Sequence, residues 1–291
     1  MKISMYSYFS DLVKQKGIEA AADTALAFGC EAVEFIDIYG KVSTVESEEE
    51  AREIRRVLDA KGLSVSCYSV AVDIALPETS GYDSDLAREY VCHSAKMAAI
   101  VGSPYLHHTL VLGLNYNEKT YVHDFGRVMK MLLPHTLAIA DLCNSLGMTV
   151  LYEPQGVYVN GRENFTAFYN EMKHRGKRVG VCGDMGNSLF YDWRPEEFFD
   201  ELAPEIKHVH AKDYNVVSAD AFSQGVRAYS SVSGKKIIPT AFGEGDIDVL
   251  RCIAAVRAQG YDGAIALEGE YHDIDREIPL DVAAVKRFIE A

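Results

Sequence analysis

Residues 206–213 read IKHVHAKD, a run of strand length built on Ile206 and Val209 that ends on His210, Lys212 and Asp213. Working outward, the same plan recurs in TVLYEP (149–154), VGVCGD (179–184) and AIALEGE (264–270). Short apolar runs bounded by turn residues read as buried strands. Each of these delivers one metal-binding residue type to its end: Glu153, Asp184, His210 and Glu268. Three carboxylates and one imidazole are the donor set a divalent cation takes in a half-open catalytic site, and one such residue per strand end is how a barrel builds that site.

Four more strand candidates precede them: ISMYSY (3–8), AVEFI (32–36), SVSCYSV (64–70) and YLHHTL (105–110). Amphipathic stretches near 17–28, 47–61, 83–101, 120–146, 163–175, 195–202, 248–259 and 278–290 alternate with the strands. That alternation predicts a parallel sheet wrapped by helices, and eight of each predicts a single-domain (β/α)8 TIM barrel over residues 1–291. Gly62, Gly147, Gly176 and Gly260 each close a helical pattern, where a left-handed residue costs least. Pro195 suits the first turn of a helix, with Glu196 and Glu197 at its positive end. The acidic run 46–50 reads as the solvated first turn of the second helix rather than a partner site. Residues 214–245, rich in Ser, Gly and Lys and without periodicity, form a long loop expected on the C-terminal face, as a substrate lid, an oligomer contact or family variation.

The chain of 291 residues is 48% hydrophobic, enough for one large core. Its 29 basic and 43 acidic side chains leave a formal charge of -14, which repels phosphate backbones and argues against a nucleic-acid partner. Cys30, Cys67, Cys92, Cys143, Cys182 and Cys252 form no Cys-x-x-Cys pair and read as small core residues in a reducing compartment. The start MKISMYSYFSDL lacks the pattern of a targeting segment, and no run nears roughly 18 uninterrupted apolar residues, so a cytoplasmic protein without a membrane partner is expected.

Taken singly, Glu153 and Glu268 could be rim carboxylates, Asp184 a loop cap, and His208 and His210 satisfied core histidines. Taken together, three carboxylates on one rim repel strongly without a cation. His107 and His108 are adjacent on the fourth strand, so only one can face the barrel interior. Tyr6, Tyr8 and Phe9 offer either an apolar wall for a sugar face or ordinary core packing.

The segments GDMGN, HVHAKD, FGEGDID and GAIALEGE resemble the xylose isomerase-like barrels of the sugar phosphate isomerase/epimerase superfamily, over nearly the whole chain. The resemblance implies one divalent metal ion, Mn²⁺ first and Co²⁺, Mg²⁺ or Zn²⁺ as alternatives, on Glu153, Asp184, His210 and Glu268. It also implies that Glu153 and Glu268 double as acid/base groups, one removing a carbon-bound proton beside a metal-polarised carbonyl and the other returning it through a metal-stabilised enediolate. By the same resemblance His107, Asn187, Lys212 and Glu34 are expected to face the substrate, joined by Tyr8 from the aromatic wall, and Asp213 to orient a neighbour. Asn187 stands where several relatives carry a histidine.

The implied activity is a sugar or polyol-ketone isomerase or epimerase. The alternative is a lyase of the same build: an inosose or dehydroshikimate dehydratase, or the catalytic subunit of a C-glycoside deglycosidase. A non-catalytic sugar-binding protein stays open as well. Endonuclease IV is disfavoured, because this chain lacks that family's histidines at SCYSV and at Asn187 and the Asp-x-His before Gly243. Ketohexose 3-epimerases resemble the chain at MYSYF but place a second glutamate where Val159 stands and an arginine that HAKDYNVV does not offer. A different polyol, keto-inositol or acid substrate follows from that departure. Relatives are often homo-oligomers, and a deglycosidase subunit would be hetero-oligomeric.

Overall fold

Alternation along each strand decides what this molecule buries. The computed structural model describes residues 1–74, 83–111, 125–156, 158–221 and 225–291. Its strands are β1 (Lys2–Met5), β2 (Ala32–Ile38), β3 (Ser64–Ala71), β4 (Tyr105–His108), β5 (Thr149–Tyr152), β6 (Val179–Asp184), β7 (Ile206–Ala211), β8 (Asp213–Val217), β9 (Tyr229–Ser230), β10 (Lys236–Thr240) and β11 (Ala264–Leu267). Strands β1 to β7 and β11 pair in parallel and close a barrel, with β11 hydrogen-bonded to both β7 and β1. The α-helices are α1 (Phe9–Ala27), α2 (Glu48–Lys61), α3 (Ser84–Val101), α4 (Phe125–Ser145), α5 (Arg162–His174), α6 (Pro195–Leu202), α7 (Val249–Ala258) and α8 (Ile274–Glu290). The expected (β/α)8 barrel is therefore the observed one.

Successive strand side chains point to opposite faces. The outward set, including Met5, Phe35, Tyr68, Leu106, Val150, Tyr152, Val181, Val209 and Ile265, merges with the helices in one continuous core. His108 belongs to that face, its ring edge-on to Tyr152 at 5.3 Å. The inward set begins with a small separate plug of Cys67, Leu151 and Cys182 packed by Tyr105. Two positions further along, each of those strands or its exit delivers a polar side chain to the same interior: Ser69, Glu153, Asp184 and His107. The apolar plug is thus the floor of the candidate site.

The junctions follow local rules. Gly62 (φ 72°) and Gly147 (φ 87°) close α2 and the turn after α4 in the left-handed region. Ser47 caps α2 by accepting the Glu50 N–H, and the Glu50 carboxylate accepts the Glu46 N–H, so the acidic run closes the first turn of α2. Pro195 opens α6 as expected.

The largest boundary difference from the sequence reading lies where β1 meets α1. Strand β1 stops at Met5, because Tyr8 turns into the left-handed region (φ 69°) and Phe9 already starts α1, eight residues before the expected helix. A break at Gly17 (φ 80°) splits α1, and only its second part carries the pattern legible in sequence. Of the helix expected at 120–146, residues 120–124 lie outside the described residues.

The long connection after β7 is not structureless. β10 pairs antiparallel with β8 from Lys236 opposite Val217 to Thr240 opposite Asp213, and β9 pairs with β10, giving a three-stranded sheet. Residues 222–224 of that segment lie outside the described residues. Asp213 ties the return of the loop to the barrel by accepting the N–H groups of Gly243 (3.0 Å) and Gly245 (2.9 Å).

Candidate metal centre

Parallel register brings the donors together, since Asp184 on β6 sits opposite His210 on β7, and Ala266, two before Glu268, sits opposite His210 from β11. His210 Nδ1 is the hub: it lies 3.0 Å from Glu268 Oε2, 3.3 Å from Glu153 Oε2 and 3.9 Å from Asp184 Oδ2. Glu153, Asp184 and His210 are buried, whereas the Glu268 side chain keeps 29% of its exposure and forms the way in. All four of these inward atoms lack an aligned hydrogen-bond partner among the described residues. Lys212 Nζ does come within 2.9 Å of Asp184 Oδ2. That approach is an ion pair.

A second tier holds these groups. The opposite ring nitrogen of His210, Nε2, faces Glu34 Oε1 at 3.1 Å, and His208 Nε2 faces Glu34 Oε2 at 2.6 Å. Burial alone would raise the Glu34 carboxyl, but the positive character of His210 and His208 and their hydrogen bonds hold it well below the usual range. Tyr6 stacks on the His210 ring at 4.8 Å and 21°. Asp184 Oδ1 accepts the N–H groups of Gly186 (2.8 Å) and Asn187 (2.5 Å), which leaves Oδ2 turned inward. Gly186 is obligatory here, since a Cβ would run into the Tyr214 ring and come within 2.8 Å of Lys212 Cγ.

Asn187 and Lys212 form the remaining wall. The Asn187 amide donates to Glu153 Oε1 (3.1 Å) and its oxygen accepts from Lys212 Nζ (3.2 Å), while Lys212 also meets Glu268 Oε1 at 2.8 Å. Burial disfavours the Lys212 charge, yet Asp184 and Glu268 push its pKa well above the ordinary value, so it stays an ammonium. At Asp184 burial wins and, helped by Glu268, raises the carboxyl. At Glu268 burial is outweighed by Lys212 and His210, which hold it low.

Three carboxylates, Glu153, Asp184 and Glu268, thus stand about one lysine ammonium, Lys212. A divalent ion suits the deficit: carboxylate and imidazole donors converge, their inward atoms lack aligned hydrogen-bond partners among the described residues, and Asp184, His210 and Glu268 as well as Glu34, His208 and His210 offer ligand atoms close enough to share one.

The five residues expected to face a substrate divide once they are placed in the fold. His107 faces the interior, 3.6 Å from Glu153 Oε1, and Asn187 and Lys212 line the cluster. Glu34 does not face a substrate space: it is fully buried beneath the two imidazoles, because β2 projects it below the level of the strand ends. Tyr8 points elsewhere too, its hydroxyl donating to the Tyr271 carbonyl at 2.7 Å, and Tyr6 takes the place beside His210. Sequence reasoning missed Ser69 and the supporting role of His208. The signal for Ser69 was available in its period-2 relation to Cys67 on β3, which places it on the inward face.

Fold and cluster together define a (β/α)8 barrel with a candidate cation site at its C-terminal mouth. The chain belongs to the xylose isomerase-like TIM barrel family, whose model matches residues 22–290. No curated protein sequence matches it significantly. Among solved structures, it is similar to a xylose isomerase-like TIM barrel protein from Mycobacterium smegmatis in complex with magnesium (TM-score 0.73, 14% identity, 99% of this chain and 96% of that one). It is also similar to the 3-keto-D-glucoside 4-epimerase of E. coli (0.71, 15%, 99% and 99%) and to a probable 3-DHS dehydratase from Bacillus anthracis (0.68, 17%, 98% and 99%). At these identities the likeness is one of fold. No helix among the described residues is long and apolar enough to cross a membrane.

Proposed function

We infer that this chain is a divalent-metal-dependent isomerase or epimerase of a sugar or polyol ketone. The observation that carries the reading is the pair of carboxylates on one imidazole nitrogen: Glu153 Oε2 at 3.3 Å and Glu268 Oε2 at 3.0 Å from His210 Nδ1, entering from barrel strands separated by two others. Glu153, Asp184, His210 and Glu268 would hold the ion, and an ion there supplies positive charge that acidifies a carbon-bound proton next to a carbonyl. Mn²⁺ is our first choice, and the magnesium-bound relative supports an ion of this hard, oxygen-seeking kind.

The protein's own groups then divide the work. Glu153, nearly buried and held by Asn187, is one proton acceptor, and Glu268, at the open edge, is the other. Two such groups on different sides of one carbon permit removal and return of a proton, hence epimerisation or isomerisation. Lys212, 2.9 Å from Asp184 Oδ2 and 2.8 Å from Glu268 Oε1, offers an ammonium as partner for a developing anionic oxygen.

The test is incubation of Mn²⁺-supplemented protein with ketoses, inososes and a C-glycoside in D₂O, followed by NMR. Solvent deuterium at the carbon beside the carbonyl, without loss of water, is expected. An unsaturated or dione product would replace this reading with a lyase, and an unchanged spectrum for every substrate would count against enzymatic proton abstraction.

A further inference from the structure

Glu34 touches more than the two imidazoles above it. Ser69 Oγ donates to Glu34 Oε1 at 2.6 Å, and the same oxygen lies 3.0 Å from His107 Nδ1. All three residues are buried, with relative exposures of 0% for Glu34, 1% for Ser69 and 2% for His107. A serine has one hydroxyl hydrogen, and an ionised carboxylate only accepts. With that hydrogen spent on Glu34, Ser69 offers His107 a lone pair, and Nδ1 must carry the hydrogen of the second bond. In the neutral ring Nε2 is then a bare acceptor. It is buried without a hydrogen-bond partner among the described residues and stands 3.6 Å from Glu153 Oε1.

The reverse assignment fails on distance. If Nδ1 accepted from Ser69, the serine oxygen would present a lone pair to Glu34 Oε1 at 2.6 Å, two acceptors in contact with no hydrogen between them. The same oxygen of Glu34 faces His210 Nε2 at 3.1 Å, so that nitrogen too directs its hydrogen at Glu34, whatever the protonation of Nδ1 on the other side of the ring. One carboxylate, which makes no contact with the space above, orients both rings.

We propose that Glu34 is the positioning residue of this site: through Ser69 it fixes His107 with Nε2 as a hydrogen-bond acceptor, and the ligand of the site is one that presents a hydroxyl to that atom, beside Glu153. This rests on the proposed function for the identity of the ligand as a polyhydroxylated ketone, and adds that one of its hydroxyls must donate between His107 and Glu153. A site built to take a hydroxyl hydrogen rejects the analogue that lacks it far more strongly than an apolar pocket rejects a missing methylene.

The experiment is ¹⁵N-histidine NMR of the whole protein, recorded without metal and with Mg²⁺, His107 being assigned by difference from His107→Gln. The expected result is a protonated Nδ1 and an unprotonated Nε2 for His107 in both states, and exchange between tautomers in Ser69→Ala, with Ser69→Thr restoring the single form. A protonated Nε2 in the wild type, or a Ser69→Ala spectrum identical to it, overturns the proposal. The second arm is Mn²⁺ titration. Glu34→Gln is expected to weaken binding about 10- to 100-fold, the usual effect of losing a partner of a ligating histidine. Ser69→Ala, which leaves His210 and Glu34 in contact, is expected to bind Mn²⁺ like the wild type. Equal weakening by both would show a general disturbance and sink the proposed division. Because the tautomer is read without metal or substrate, failure of the metal reading stays distinguishable from failure of this one. Should Glu34→Gln not fold, the Ser69 pair still decides the question.

Discussion

The Asn187 side-chain amide donates to Glu153 Oε1 over 3.1 Å, and in doing so leaves Glu153 Oε2 as the oxygen turned toward His210. Asn187 stands where the family resemblance puts a histidine in several relatives, and here it works on a carboxylate and an ammonium at once, since its own oxygen accepts from Lys212. Asn187→Ala removes both bonds and frees Glu153 to rotate. The expected outcome is a 10- to 100-fold loss of turnover or cation affinity, of the order seen for partners of ligating residues, with circular dichroism unchanged. Full activity would show that Glu153 is held by its packing alone.

Cation binding should be visible as stability. An ion that binds only the folded chain at about a hundredfold excess over its Kd adds about 2.7 kcal/mol, a rise of several degrees in Tm. Mn²⁺, Co²⁺, Mg²⁺ and Zn²⁺ added to metal-free protein, followed by thermal melting, checks this. Asp184→Ala should abolish the rise, because Asp184 is buried and its Oδ2 is one of the inward atoms without an aligned partner. Absence of a shift with every ion would leave the cluster as a buried ion-pair network.

The barrel was legible because its signals are local and redundant. IKHVHAKD and its three counterparts each combine an apolar run with a terminal donor, and Gly62 or Gly147 mark helix ends by a conformation that other residues resist. The four inward donors followed from the same strand ends. Ser69 and the true place of Glu34 did not: period 2 from Cys67 puts Ser69 on the inward face, but its partner His107 becomes apparent only when β3 is docked against β4. The sheet of β8, β9 and β10 escaped for another reason: β9 has two residues, and β10 carries Pro239, so neither shows a readable alternation.

Proton and cation compete for His210. Burial disfavours a charged ring, but Cys182, Glu34 and Glu268 outweigh it and hold the His210 pKa well above the ordinary histidine range in the metal-free protein. An ion must displace that proton from Nδ1, so affinity should rise with pH and fall as the solution is acidified. Calorimetric titration of Mn²⁺ in buffers of different ionisation heat is expected to show proton release, approaching one proton per ion, that shrinks at higher pH. Binding without proton release at neutral pH would place the ion away from His210.

Glu153→Gln separates acid/base work from architecture. The amide keeps the shape of the side chain and an oxygen, but cannot take a proton. Turnover should fall by at least about 100-fold, the lower end of what a positioned base contributes, with the melting temperature of the metal-free protein little changed. Near-normal turnover would remove Glu153 from the proton-transfer step and leave Glu268 as the sole candidate.

Asp213 anchors the three-stranded insertion through one buried carboxylate, which accepts from Tyr214 (2.8 Å), Gly243 (3.0 Å) and Gly245 (2.9 Å), with Ile247 at the longer distance of 3.4 Å. Removing it in Asp213→Ala leaves several backbone N–H groups without their acceptor, at about 1–3 kcal/mol for each that stays buried. Gly245→Ala attacks the same cradle from the other side, because a Cβ there would collide with Asp213 Oδ1. Both variants should therefore lower Tm, and since Asp213 follows Lys212 directly, both should also raise KM for a substrate that Lys212 helps to hold. The double variant should be little worse than either single one, as expected for two residues acting on one cradle. Simple additivity in thermal melts would show that Gly245 and Asp213 act at separate points of the loop.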